Sequence, residues 1–118
     1  MFCNLFNRLY VELDASDNSV TLSPSLAKEV MKKIETENKI HMFKVGNEFA
    51  FSVNHPGLME EDTPFAPLQK NFQHNCIGFN ACCPSVNRIV YDYNLPDMAK
   101  VKVKRVKSGN ETIYLLKR

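Results

Sequence analysis

Ile40-His41-Met42-Phe43-Lys44-Val45-Gly46-Asn47-Glu48-Phe49-Ala50-Phe51-Ser52-Val53 decides the fold class. Two apolar runs rich in β-branched and aromatic residues flank a short turn containing Gly and Asn, which is the pattern of a β-hairpin. Its register sets which side chains meet. A two-residue loop, Gly46-Asn47, places Val45 opposite Glu48 and Phe43 opposite Ala50, with Phe49, Phe51 and Val53 on the other face. A three-residue loop, Gly46 to Glu48, places Val45 opposite Phe49 and Phe43 opposite Phe51, so that the apolar side chains collect together. The expectation is therefore the three-residue register. Its rival requires both faces of the hairpin to be covered.

On the N-terminal side, Arg8-Leu9-Tyr10-Val11-Glu12-Leu13 alternates with Leu9, Val11 and Leu13 on one side, the period of a half-buried strand. Asp14-Ala15-Ser16-Asp17-Asn18 supplies turn chemistry, and Ser19-Val20-Thr21-Leu22 returns as the second arm of a hairpin. Ser23-Pro24 is a helix start signal, because the hydroxyl can accept from the first-turn amides and proline has no amide to leave unpaired. The spacing of Leu26, Val30 and Ile34, with Ala27 and Met31 beside them, predicts one main amphipathic helix over 24–38. Glu29 and Lys33 are expected to face water as a pair four residues apart.

On the C-terminal side, residues 54–73 break the pattern with Pro56, Gly57, Pro64 and Pro67. Thr63-Pro64 repeats the start signal, and Phe65, Leu68 and Phe72 share a helical face, so a short helix is expected over 64–71. Asn71 to Pro84 contains Cys76, Cys82 and Cys83, with Cys76-Ile77-Gly78-Phe79 as a short strand. Arg88 to Tyr93 reads as a strand with Ile89, Tyr91 and Tyr93 aligned, ended by Asn94-Leu95-Pro96-Asp97. A last hairpin pairs 99–107 with 112–116, and the reversed alternation at Arg105-Val106 predicts either a bulge or a strand leaving the core. No internal repeat is visible. The class is α+β, built on a mostly antiparallel sheet of two or more hairpins.

A chain of 118 residues with 44% hydrophobic and 24% charged residues is suited to one globular domain over 1–118 and lies far from the composition of disordered chains. No stretch approaches the ~20 apolar residues of a membrane span, and residues 1–8 lack a secretory leader pattern. The expectation is a cytoplasmic protein with reduced cysteines, no membrane partner and no cofactor. The net charge of +2 is uneven: residues 98–118 carry seven Lys or Arg against one acid.

Three constellations could carry chemistry. His74, Cys76, Cys82 and Cys83 are zinc-type ligands, or a thiol site centred on Cys76, but Cys82 and Cys83 are adjacent and would point to opposite faces of extended chain. The simpler reading is that these cysteines pack as small apolar groups. Lys100, Lys102 and Lys104 alternate along one strand, and Arg105 and Lys107 continue it, a row that could neutralise nucleic-acid phosphates. The competing reading is that lysines guard a sheet edge against aggregation. Leu58, Met59 and Phe65 on the long loop could meet a protein partner or a second copy of the chain. The sequence places a non-enzymatic binding or regulatory module acting on a protein first, and nucleic-acid binding through the basic C-terminal hairpin second.

Overall fold

The computed structural model describes residues 8–34, 37–53, 64–73, 76–81, 83–109 and 111–118, with residues 71–73 and 108 described by their backbone alone. Its elements are β1 (Tyr10–Asp14), β2 (Ser19–Leu22), α1 (Pro24–Lys33), β3 (Ile40–Val45), β4 (Glu48–Val53), β5 (Gln69–Gln73), β6 (Cys76–Asn80), α2 (Val86–Asp92), β7 (Met98–Ser108) and β8 (Glu111–Leu116). The eight strands form one antiparallel sheet in the order β3-β4-β8-β7-β1-β2-β6-β5. The sheet curls because β7 changes partner midway, pairing with β1 over Met98 to Lys102 and with β8 over Val103 to Ser108.

One face lines the core. Leu13 lies opposite Val20, Val20 opposite Phe79, Val103 opposite Leu116, and Phe51 opposite Tyr114, so the period-2 alternation of neighbouring strands delivers all of these side chains to the same interior. Phe51 stacks on Tyr114 with ring centroids 5.0 Å apart and is itself fully buried. Each such side chain contributes roughly 1.5–3 kcal/mol by leaving water. Both helices pack into this concave side, α1 through Leu26, Ala27 and Val30, and α2 through Val86, Ile89 and Val90.

The β3–β4 hairpin corrects the expected register. Val45 lies opposite Glu48 and Phe43 opposite Ala50, so the loop has two residues. Gly46 takes φ +61, a conformation that only glycine adopts freely and that suits the first position of a two-residue hairpin turn. This register puts Ile40 and Met42 with Phe49, Phe51 and Val53 on the core side. The other face is covered as well: Ala50, Ser52 and His41 are buried there.

The remaining corrections concern helices. Serine caps α1 as expected, with Leu26 N–H donating to Ser23 Oγ at 3.4 Å, but the helix ends at Lys33, short of 38. No helix forms over 64–71. Ala66 precedes Pro67, which disfavours helical dihedrals, and its N–H and C=O both bond to Ile40 in extended chain, at 2.9 and 2.8 Å. Beyond it, Gln69–Gln73 is strand β5. The strand expected over Arg88 to Tyr93 is instead α2, capped by Ser85. Val86, Ile89, Val90 and Tyr93 are buried at helical spacing while Tyr91 is 82% exposed, which contradicts the alternation of a strand. Asn94, at φ +56, ends α2 in a left-handed cap: Leu95 N–H donates to Val90 O and Asn94 N–H to Tyr91 O. No bulge forms at Arg105-Val106; the register with β8 runs unbroken and the strand leaves the core.

The topology also contains a repeat that the sequence hides. The chain order is strand, strand, helix, strand, strand, given twice. Exchanging β1–β4 with β5–β8 leaves the cyclic strand order unchanged once the bridge between Ile40 and Ala66 joins the two ends of the sheet. The equivalence holds residue by residue. Val103 N–H donates to Leu9 O at 2.9 Å, and Ile40 N–H donates to Ala66 O at 2.8 Å. Val11 lies level with Val101, and Leu68 lies level with Asn38. Leu9 to Ala66 and Val11 to Leu68 are shifts of 57, whereas Ile40 to Val103 and Asn38 to Val101 are shifts of 63. Leu26, Ala27 and Val30 are buried as Ile89, Val90 and Tyr93 are, also a shift of 63. The second half therefore carries six more residues between Phe79 and Ile89, and Cys82 and Cys83 belong to that excess.

At the seam between the halves, Asn38 replaces a strand with its side chain. Its Nδ2 donates to Leu68 O at 3.0 Å and its Oδ1 accepts from Leu68 N–H at 2.7 Å. Leu68 is buried, so Asn38→Ala would strand both backbone groups. The expected loss is about 1–3 kcal/mol, read as a lower urea midpoint at unchanged slope; an unchanged midpoint would show that the seam does not bear on stability.

Candidate nucleic-acid interface

The alternation of β7 separates its side chains into two sets. Val101 and Val103 enter the core, and Lys100, Lys102 and Lys104 stand exposed on the convex face. Pairing then gathers further groups around them. Tyr10 lies opposite Lys102 and Glu12 opposite Lys100 on β1. Lys100 Nζ sits 4.7 Å from the centroid of the Tyr10 ring and 4.0 Å from Glu12 Oε1. Lys117 N–H donates to Lys102 O at 2.8 Å, which extends β8 by one step and brings Lys117 alongside the row. The bond from Val103 N–H to Leu9 O likewise sets the exposed Arg8 level with Lys104.

The convex face thus collects Arg8, Lys100, Lys102, Lys104 and Lys117 against Glu12 and Glu48, the latter 3.4 Å from Lys117 Nζ. Exposed pairs of this kind stabilise the fold by only about 0–1 kcal/mol, so the lysines are readily available to another anion. The patch has a limit. Farther along β1 the same face turns acidic, with Glu12, Asp14 and Asp17 lining a shallow cleft beside Met98. Hydrogen bonding from the Ser16 hydroxyl holds the Asp14 carboxyl below its usual range.

Arg105 and Lys107 do not share this face. They fall on the concave side of β7, past the end of the core, because the strand keeps its alternation as it leaves. Arg105 Nε lies 3.5 Å from Glu29 Oε1, and Glu29 Oε2 accepts the hydroxyl of buried Tyr114 at 2.7 Å. Glu29 therefore does not simply face water as its spacing suggests; it ties α1 to β8 and β7. Arg8 escapes a reading of the sequence for a different reason: nothing local says which strands flank β7, whereas Lys117 is visible there as part of the basic C-terminal stretch.

Of the other expected groups, Cys76, Cys83 and Phe65 lie among the described residues. His74, Cys82, Leu58 and Met59 lie outside the described residues. Cys76, at the start of β6, and Cys83, before α2, are both exposed. Among the described residues no group of three His, Cys, Asp or Glu side chains is placed to hold a metal ion. Phe65 is 47% exposed, with its ring 5.9 Å from that of His41 and under Lys39 Nζ at 5.0 Å.

No family model, curated protein or solved structure matches this chain. Among the described residues no helix is long and apolar enough to cross a membrane.

Two buried phenols report on the integrity of the region. Burial raises the Tyr114 phenol far above its usual value, and the Glu29 carboxylate that accepts its proton adds to the effect. Burial also raises Tyr93, which accepts from Phe49 N–H at 2.6 Å and donates to Leu116 O at 2.7 Å. A raised folded-state value means that this stability is complete below the ordinary tyrosine range, about pH 10, and is lost as pH climbs above it. In an alkaline titration, phenolate absorbance from Tyr93 and Tyr114 should therefore appear together with loss of the far-UV circular dichroism. Ionisation of all four tyrosines before any unfolding would contradict the buried network.

Proposed function

We propose that the protein binds nucleic acid through the convex face of β1, β7 and β8, with Lys102 and Lys104 at the centre and Arg8, Lys100 and Lys117 around them. The observation that carries this reading is the position of β7. It lies between β1 and β8 and meets both at its centre, where Lys117 N–H donates to Lys102 O and Val103 N–H donates to Leu9 O, so Lys102 stands away from any sheet edge. Guarding an edge therefore does not explain Lys102, and a phosphate backbone is the extended polyanion that such a row fits. Tyr10, half-buried among the lysines, adds an aromatic surface for stacking. Arg105 and Lys107 play no part in it.

In this reading the chain is one α+β domain over residues 1–118, a non-enzymatic binding module of the cytoplasm. A protein partner is the second reading, resting on the exposed ring of Phe65.

Fluorescence anisotropy with short DNA and RNA strands tests the proposal. Binding should appear at low salt, and log affinity should fall linearly with log salt concentration. Replacing Lys102 and Lys104 together by Glu should weaken binding about tenfold or more and flatten the salt slope by roughly one unit for each phosphate that is no longer neutralised. Lys107→Glu should change little. Absence of binding at low salt, or equal losses from all three positions, would refute it.

A further inference from the structure

A second cationic cluster lies away from the lysine row, at the C-terminal end of α2. Arg88 Nε lies 3.0 Å from Asp92 Oδ2 and Lys44 Nζ lies 3.4 Å from the same oxygen. Arg118 donates from a terminal guanidinium nitrogen to Asp92 O at 2.7 Å. Two of the cations also rest on rings: Lys44 lies 5.4 Å from the centroid of Phe49, and the Arg118 guanidinium 5.1 Å from that of Tyr93. Together with Asn47, Tyr91 and Asn94 they line a cleft of about 560 Å³.

Three cations here share one carboxylate, which leaves an excess of two positive charges. That excess matches a phosphate monoester, which carries about −1.5 to −2 at neutral pH. The end of a helix normally presents bare carbonyls that repel an anion. In α2 those carbonyls are occupied. Ile89 O accepts from Tyr93 N–H, Val90 O from Leu95 N–H, Tyr91 O from Asn94 N–H, and Asp92 O from Arg118. The Asp92 carboxylate is likewise engaged by Arg88 and Lys44, and its remaining effect is to aim them.

Next to this cleft is another of about 510 Å³, lined by Asn87, Arg88, Val90, Tyr91, Leu95 and Asp97. Arg88 and Tyr91 border both. Tyr91 is the most exposed large apolar side chain among the described residues, at 82%, so packing does not account for an aromatic ring at this position. Val90 and Leu95 provide an apolar floor, and Asn87 and Asp97 provide polar groups at its margin, the composition expected for a flat heteroaromatic ring.

We infer that these two clefts form one site for a nucleoside monophosphate, with the phosphate held by Lys44, Arg88 and Arg118 and the base laid against Tyr91. This site is independent of the convex lysine face, and neither reading rests on the other.

Amide chemical shifts of the full chain, titrated separately with adenosine 5′-monophosphate, inorganic phosphate and adenosine, test it. The monophosphate should bind most tightly and shift Lys44, Arg88, Tyr91, Asn94 and Arg118. Inorganic phosphate should shift the cationic cleft alone and bind more weakly. Arg88→Gln with Arg118→Gln should reduce monophosphate affinity by about tenfold or more, as expected on loss of bidentate donors. Tyr91→Ala, at an exposed position that leaves the core untouched, should bring the monophosphate down to the affinity of phosphate. The Lys102→Glu, Lys104→Glu protein should bind the monophosphate like the parent, which separates this site from the nucleic-acid surface. A monophosphate that binds no tighter than phosphate overturns the inference, as does a doubly substituted arginine variant that binds it unchanged.

Discussion

The backbone ladder of β7 is the constraint on which the rest depends. Between Lys102 and Val103 the strand passes from β1 to β8, and in doing so it joins the first hairpin of the chain to the last. A strand that changes partners must bend, and the bend gives the sheet the concave side into which both helices pack. The same exchange sets the middle of β7, at Lys102 and Val103, between two bonded neighbours. Its outward lysines are exposed, and Lys102 stands in the middle of a broad convex surface.

The internal repeat accounts for several features that are otherwise unrelated. In each half a two-stranded hairpin, a capped helix and a second hairpin follow one another, and each second hairpin closes onto the first hairpin of the other half. The closure is a full strand pairing at β7 and β1 but is reduced to the Ile40–Ala66 bridge and the side chain of Asn38 at the opposite seam. The Cys82-Cys83 pair falls in the excess length of the second half, between β6 and α2. Its place is that of a connection the first half does without.

What could be read locally followed local physics. Ser23-Pro24 starts a helix because a hydroxyl and a missing amide solve the same hydrogen-bonding problem. Asp14 to Asn18 turns because short polar side chains tolerate it, and Asn18 indeed takes φ +54. The departures arose where a short apolar run fits two periods. Ile89, Tyr91 and Tyr93 alternate like a strand, yet Val86, Ile89, Val90 and Tyr93 also recur like a helix, and the tertiary core selected the second set. Thr63-Pro64 has the form of a helix start, but the backbone of Ala66 pairs with Ile40 instead. The candidate site was half legible: the lysine row and the basic chain end with Lys117 are visible in the sequence, whereas Arg8 joins them only through pairing.

By itself, then, the sequence determined where the chain alternates, turns and caps, because those properties depend on neighbours within a few residues. It determined a mostly antiparallel sheet and the exposure of Lys100, Lys102 and Lys104 opposite Val101 and Val103. The tertiary structure alone decided the two-residue register of the β3–β4 hairpin, since that choice turned on both faces being covered. It alone separated Arg105 and Lys107 from the row, and it alone brought Lys44, Arg88 and Arg118 around Asp92, from three elements far apart in the chain. Backbone pairing between distant strands carries no local signature, so what it assembles can be recognised only in the folded chain.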